Sequence, residues 1–220
     1  LNMFFCCGGG VAAEASISGK DLTGWYDLSW SGGTFTICFR PGGFFFSPNF
    51  QAPARWKLDG DKVDVDWGKY GKYEFTFFAE TRSLEGHAVP KNEADETNWR
   101  KAEFKCPLNC EELALIGDGF GTEWEFEWSG GAFPVQFKAD GYNHFKCITY
   151  PAHAHWSLQE KKLTIHWGEY GDYELEVNAS SKTMEGAAVG GDPARDWRKG
   201  KFLRCLESSN TVEKCDHHDH

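Results

Sequence analysis

Three histidines fall within the stretch "HAHWSLQEKKLTIHW": His153, His155 and His166. If Leu158 pairs with Leu163 across a tight turn, Trp156 faces Ile165 on the apolar side. His155 then faces His166 on the other side, with His153 two residues further along. Three imidazoles on one sheet face form a candidate Zn²⁺ or Cu²⁺ set, and equally an uncommitted polar patch. The matching pair earlier in the chain is Arg55 and Asp66, an expected cross-strand ion pair. The C-terminal "CDHHDH" (Cys215–His220) is rich in ligand types and reads as a flexible end. Cys106 and Cys110, taken with Cys205 and Cys215, lack zinc-ribbon spacing. "GDGFGT" at 117–122 has the glycines of a phosphate loop without its lysine, and it leads into a strand, so it reads as a turn. Apart from a candidate Zn²⁺, no cofactor is expected.

A second group is aromatic. "VDWGKYGKYEF" ends at Phe75, and "TIHWGEYGDYEL" ends at Leu175. Trp67, Tyr70, Tyr73 and their counterparts Trp167, Tyr170, Tyr173 are the candidate ligand-contacting residues, and more simply the core of a repeated hairpin. The charges at the two tips reverse: Lys69 and Lys72 become Glu169 and Asp172. These four are candidate interaction residues, because a positive tip complements a negative one on another copy or chain.

The elements that position these groups are duplicated. Residues 56–89 aligned with 156–189 show fourteen identities in thirty-four positions, too many rare residues for chance. Upstream, "WSGGTF" at Trp30 matches "WSGGAF" at Trp128; downstream, "NWRKAEF" matches "DWRKGKF". The expected layout is an N-terminal segment 1–20, copy 1 over 21–104, a linker 105–117, copy 2 over 118–202 and a tail 203–220. Within a copy the apolar residues recur with period two, as in Tyr26, Leu28, Trp30 and Leu163, Ile165, Trp167. Gly-rich turns separate the runs. Seven to eight short strands per copy predict an all-β protein of two tandem antiparallel meander domains, each barrel-like, calycin-like or a small sandwich.

The opening "DLTGWYDL" resembles the Gly-x-Trp strand of lipocalin and avidin-type barrels. That resemblance implies an Arg near the last strand packed on the early Trp, a place Arg100 in "NWRKAEF" could fill.

Bulk properties narrow the function classes. A net charge of −10 argues against nucleic acid or an anionic membrane as main partner. No apolar run approaches the roughly 20 residues of a membrane span. Eight cysteines do not recur between copies: Cys38 aligns with Gln136, and Cys147 with Asn49 at the upstream offset. This favours free thiols and an intracellular protein, soluble or peripherally attached. Cys6 and Cys7 beside Phe4 and Phe5 are candidate acylation sites. The distinctive residues belong to the scaffold, which disfavours an enzyme. The leading reading is a non-catalytic module binding a protein partner or itself. The alternative is a carrier of an apolar, pigment-like or carbohydrate ligand, and the third a metal-dependent enzyme using the three histidines.

Overall fold

The period-two alternation is realised as two runs of eight strands. The computed structural model describes residues 18–91 and 94–207. In the first copy β1 (Gly24–Trp30), β2 (Gly33–Arg40), β3 (Phe44–Phe46), β4 (Arg55–Asp59), β5 (Lys62–Asp66), β6 (Lys72–Phe78), β7 (Ser83–Val89) and β8 (Arg100–Cys106) pair in chain order. β8 returns antiparallel to β1 and closes a barrel. The second copy repeats this with β9 (Thr122–Trp128), β10 (Gly131–Phe137), β11 (Phe145–Cys147), β12 (His155–Gln159), β13 (Lys162–His166), β14 (Asp172–Asn178), β15 (Thr183–Ala188) and β16 (Trp197–Cys205). Here β16 returns to β9, and the ladder stops between β11 and β12. A single bridge between His144 and His155 spans that gap. The Phe145 N–H donates to the Ala154 carbonyl (2.9 Å), and the Trp156 N–H to that of Asn143 (2.8 Å). The protein is therefore all-β, with two tandem barrel-like antiparallel domains.

The stretch expected to be a linker contains the end of β8 and a helix. A short α-helix precedes each barrel, α1 (Gly19–Leu22) the first and α2 (Cys110–Ile116) the second. Asn109 caps α2 by accepting from the Glu112 N–H (2.6 Å). Leu115 and Ile116 of α2 belong to the second core, as Leu22 of α1 belongs to the first. Tyr26 Oη donates to the Leu22 carbonyl, and Thr122 Oγ1 to that of Leu115. The buried polar tips thus satisfy the helix ends that cover each barrel.

The repeated aromatic phrase is the hub of each core. Trp67 contacts Phe35, Phe45, Phe50, Tyr70 and Tyr73 at ring separations of 5.8, 4.7, 6.3, 5.6 and 5.9 Å. Trp167 meets the equivalent Phe133, Phe145, Tyr150, Tyr170 and Tyr173 at 6.0, 4.8, 6.4, 5.7 and 5.7 Å. Both indoles are buried, and each Nε1–H donates to the carbonyl of Phe50 or Tyr150 (3.0 and 3.1 Å). The turn between the tryptophan and the second tyrosine needs its glycines: Gly68 and Gly168 both sit at φ +53°, with a carbonyl oxygen about 3 Å from where a Cβ would stand.

Equivalence of these hubs also fixes where the copies differ in length. Phe39 pairs with Phe45, and Phe137 with Phe145. Five residues join the first pair and seven the second, so copy 2 carries two extra residues in the segment 138–144. Cys147 consequently matches Ser47, not Asn49. The cysteines still do not recur, and Cys38, Cys106, Cys110, Cys147 and Cys205 are free thiols. Cys6, Cys7 and the "CDHHDH" tail lie outside the described residues. Among the described residues no helix is long and apolar enough to cross a membrane.

Candidate functional site

Both barrel interiors are occupied by aromatic and aliphatic side chains. Trp67, Tyr70, Tyr73, Trp167, Tyr170 and Tyr173, the expected ligand contacts, pack on one another there. Tyr73 Oη donates to the Tyr70 carbonyl (2.8 Å), while Tyr173 Oη accepts from the Arg198 guanidinium (3.1 Å). Tyr170 is more than one-third exposed at the rim. Arg100 does not lie on Trp25, as the barrel resemblance implied. Its guanidinium sits 5.3 Å over Trp30 and 5.4 Å over Tyr73, and Arg198 repeats this with Trp128 and Tyr173. Trp25 faces outward and donates its Nε1–H to Glu112 (2.9 Å).

A concave region of about 710 Å³ opens on the outside, at the junction of the copies. Outward-facing residues of β4, β5 and β6 (Arg55, Lys57, Asp64, Asp66, Lys72 and Glu74) form one wall. Phe120, Lys138 and Asp140 of copy 2, with Glu207, bound the other. Charges of both signs therefore line one groove.

The floor of the junction is held by Arg40, whose side chain is 1% exposed. One guanidinium nitrogen donates to Asn143 Oδ1 (2.7 Å) and, more weakly, to the Asp140 carbonyl (3.4 Å). The other stands 3.8 Å from Glu112 Oε1, and the plane rests on Phe46 at 4.1 Å. Burial pushes the Glu112 carboxyl up, against the pull of Arg40 and Trp25. Three pieces of the chain thus converge: β2, α2 and the longer 138–144 segment. The 138–144 backbone also touches the loop between β3 and β4, since a Cβ on Gly141 would fall on the Ala52 carbonyl.

The same segment contributes one ring, His144, to an imidazole cluster. His155 faces His166 in register, as the sequence predicts. His155 Nε2 lies 2.8 Å from His153 Nε2. His166, however, turns to Asp172 (3.1 Å), its neighbour on β14. The third ring beside the pair is His144, with ring separations of 4.9 Å to His155 and 6.2 Å to His153. His144 Nδ1 bonds Asp140 Oδ2 (2.6 Å), and His155 Nδ1 bonds the Tyr142 carbonyl (3.0 Å). Burial raises the Asp140 carboxyl, but the His144 bond and charge and the His144 and Tyr142 N–H groups outweigh it, and the net shift is downward. Burial lowers the His155 imidazole. Among the described residues no group of three or more His, Cys, Asp and Glu already stands at metal-holding spacing. His144 was not singled out from the sequence, because the two-residue insertion hides its equivalence to Phe44.

At copy 1 the corresponding residues behave differently. Arg55 and Asp66 are in register but do not form the expected ion pair. Arg55 lies flat on Phe44 at 3.4 Å, and Asp66 pairs with Lys72 (3.0 Å). This accounts for part of the charge reversal at the tips. The ladder pair Asp66–Lys72 becomes His166–Asp172, so the carboxylate moves from one strand of the pair to the other. Lys69 stands 5.5 Å from the Tyr70 ring, and Glu169 adds to the upward shift of the Tyr170 phenol that desolvation begins. Lys72 lines the groove, which joins one of the four expected interaction residues to the concave site.

A filled eight-stranded meander with a charged groove on its flank defines a class by architecture alone. The chain matches no family model, no curated protein and no solved structure.

Proposed function

We propose that this protein is a non-catalytic interaction module that holds a protein partner, or a second copy of itself, in the groove between its two barrels. The observation that carries the reading is the placement of free volume: the barrels are packed, and the concave surface lies between them. A small-ligand pocket is mostly apolar with a few placed polar groups. This groove instead sets Arg55, Lys57 and Lys72 beside Asp64, Asp66 and Glu74 along three strands, so it offers charges of both signs to a complementary partner surface. Its volume lies within the roughly 300–1,000 Å³ of small-ligand sites, which keeps a bound small molecule as the second reading.

The test is affinity capture from the native source, with mass spectrometry of proteins and extractable small molecules. Wild type is compared with Lys57→Glu/Lys72→Glu in the groove and with Lys182→Glu at a remote turn. A partner held by wild type and by the remote variant, and lost by the groove variant, supports the reading. A partner indifferent to the groove charges refutes it, and a co-purified small molecule sensitive to them favours the second reading.

A further inference from the structure

We infer that His144, His153 and His155 form a site for a divalent transition-metal ion, Zn²⁺ in the first instance, at the seam where the second barrel closes. The inference is independent of what the groove binds.

A carbonyl oxygen only accepts, so the His155 Nδ1 facing Tyr142 carries that ring's proton. Neutral His155 therefore presents a bare Nε2 lone pair, and it points at His153 Nε2, 2.8 Å away. The proton between those two nitrogens occupies the place a cation would take. With Zn–N bonds of about 2.0–2.1 Å in a tetrahedral site, two ligand nitrogens stand about 3.3 Å apart, so the pair need open only by about half an ångström. His153 would then move its proton to Nδ1, and no net charge is created on the protein.

The third ring is prepared in the same way. His144 Nδ1 is engaged by the Asp140 carboxylate, so coordination by this ring would fall to Nε2. Carboxylate and carbonyl partners on the far nitrogen are the outer-shell arrangement that orients metal-binding histidines. The three ring separations are 4.5, 4.9 and 6.2 Å. Three imidazoles on a tetrahedral Zn²⁺ would have centroids about 5 Å apart, from the same Zn–N length plus the ring radius. The longest separation, His144 to His153, is the one that must shorten, by turning the His144 ring about its Asp140 bond. His144 and His153 make further contacts besides these. His166 is outside the set because Asp172 holds it.

The full-length chain with Cys215, His217, His218 and His220 all changed to Ala separates this seam from the ligand-rich tail. Titration with ZnCl₂ by calorimetry, and with CoCl₂ by visible absorption, reads affinity and ligand geometry. The expected result is one ion per chain with a tetrahedral Co²⁺ band. His155→Ala and His144→Ala should each weaken Zn²⁺ at least tenfold, and Asp140→Asn about 10–100-fold, as outer-shell changes do. His166→Ala should leave the isotherm unchanged. Metal-free thermal melts check folding. If His155→Ala fails to fold, His153→Ala, at an exposed ring, carries the same expectation. A tail-substituted chain that takes no Zn²⁺, or binding that survives His144→Ala or the His153/His155 change, overturns the site. So does an equal loss on His166→Ala.

Discussion

The two barrels close by the same device and finish it with opposite chemistry. In copy 1 the last ladder contact is the pair Phe44–Arg55, with the guanidinium lying on the phenyl ring at 3.4 Å. In copy 2 the equivalent contact is the bridge His144–His155, with His153 completing an imidazole cluster. The strand–strand geometry is conserved, while the side chains change from an aromatic and a cation to two heteroaromatics. The backbone register is fixed by the Trp67 and Trp167 hubs, one residue layer inside. The seam is therefore free to vary, and the two-residue insertion at 138–144 lands there. The lengthened segment carries Asp140 and Asn143 and ends on His144, the counterpart of Phe44. Asn143 and the Asp140 backbone grip Arg40 of the other copy, and the Asp140 carboxylate grips His144. One short segment thus docks the copies together and builds the feature that distinguishes them.

The sharpest way to break the equivalence is at the hubs. Trp67→Ala and Trp167→Ala should each cost about 3–5 kcal/mol, the range for deleting a buried aromatic. Because the ring separations around the two indoles agree closely, the losses should agree within about 1 kcal/mol when each is measured by urea unfolding. A large cost in one copy and a trivial one in the other would show that the hubs are not energetically equivalent.

Next in size is the docking residue. Arg40 ends β2 and Lys138 follows β10 at the equivalent place, yet the first is fully buried and the second half-buried. Arg40→Met strands Glu112 and Asn143, and breaking a buried pair costs about 3–5 kcal/mol. Lys138→Met should cost about 0–1 kcal/mol. The Arg40 loss should also depend on pH. The folded Glu112 carboxyl is already raised, so the stability it contributes is present below the ordinary value of 4.5 and lost as pH rises through the folded value. Removing the cation raises it further. The deficit of Arg40→Met should be widest at neutral pH and narrow below 4.5, and adding Glu112→Leu should recover much of it. Thermal melts of the three variants between pH 4 and 7 check this. A pH-independent deficit would mean that the lost packing on Phe46, and not the charge, is what Arg40 supplies.

How far the sequence announced these features depends on whether neighbours along the chain or across it define them. The period-two runs, the glycine turns and the duplicated Trp-Gly-x-Tyr-Gly-x-Tyr phrase are local, so the meander and the burial of Val63, Val65 and Trp67 were legible. The register of His155 on His166 was legible too, because a two-residue turn sets it. Three things were not. The helix α2 lies in a stretch with cysteines and a proline, and its apolar face of Leu115 and Ile116 spans too few residues to show a period. His144 required placing an insertion between two phenylalanines. The partners of Arg55, Asp66 and Arg40 were decided by competition among side chains from separate strands. Lys72 takes Asp66, Phe44 takes Arg55, and no pairwise rule within one hairpin foresees a third strand.

The smallest effects are expected at the tips, where they bear most on association. Lys72→Glu sets a second carboxylate opposite Asp66, and Asp172→Lys sets a cation opposite His166. Both sites are exposed, so each change should alter stability by only about 0–1 kcal/mol. Binding is another matter, since Lys72 lines the groove and each tip presents a concentrated charge. If the negative tip of one chain enters the groove of the next, association should weaken as salt shortens the screening length to about 8 Å at physiological strength. Lys69→Glu/Lys72→Glu should weaken it at low salt, because like charges then face each other. Adding Glu169→Lys/Asp172→Lys to the same molecule should restore part of it, because a reversed pair attracts as well as the original. Sedimentation velocity of the wild type and these two variants over a salt series reads the outcome. Association that ignores salt, or a fourfold variant that regains nothing, would show that the tips do not meet one another. The reversal from Lys72 to Asp172 would then be explained entirely by the move of the carboxylate across the ladder pair, from Asp66 beside Lys72 to Asp172 beside His166.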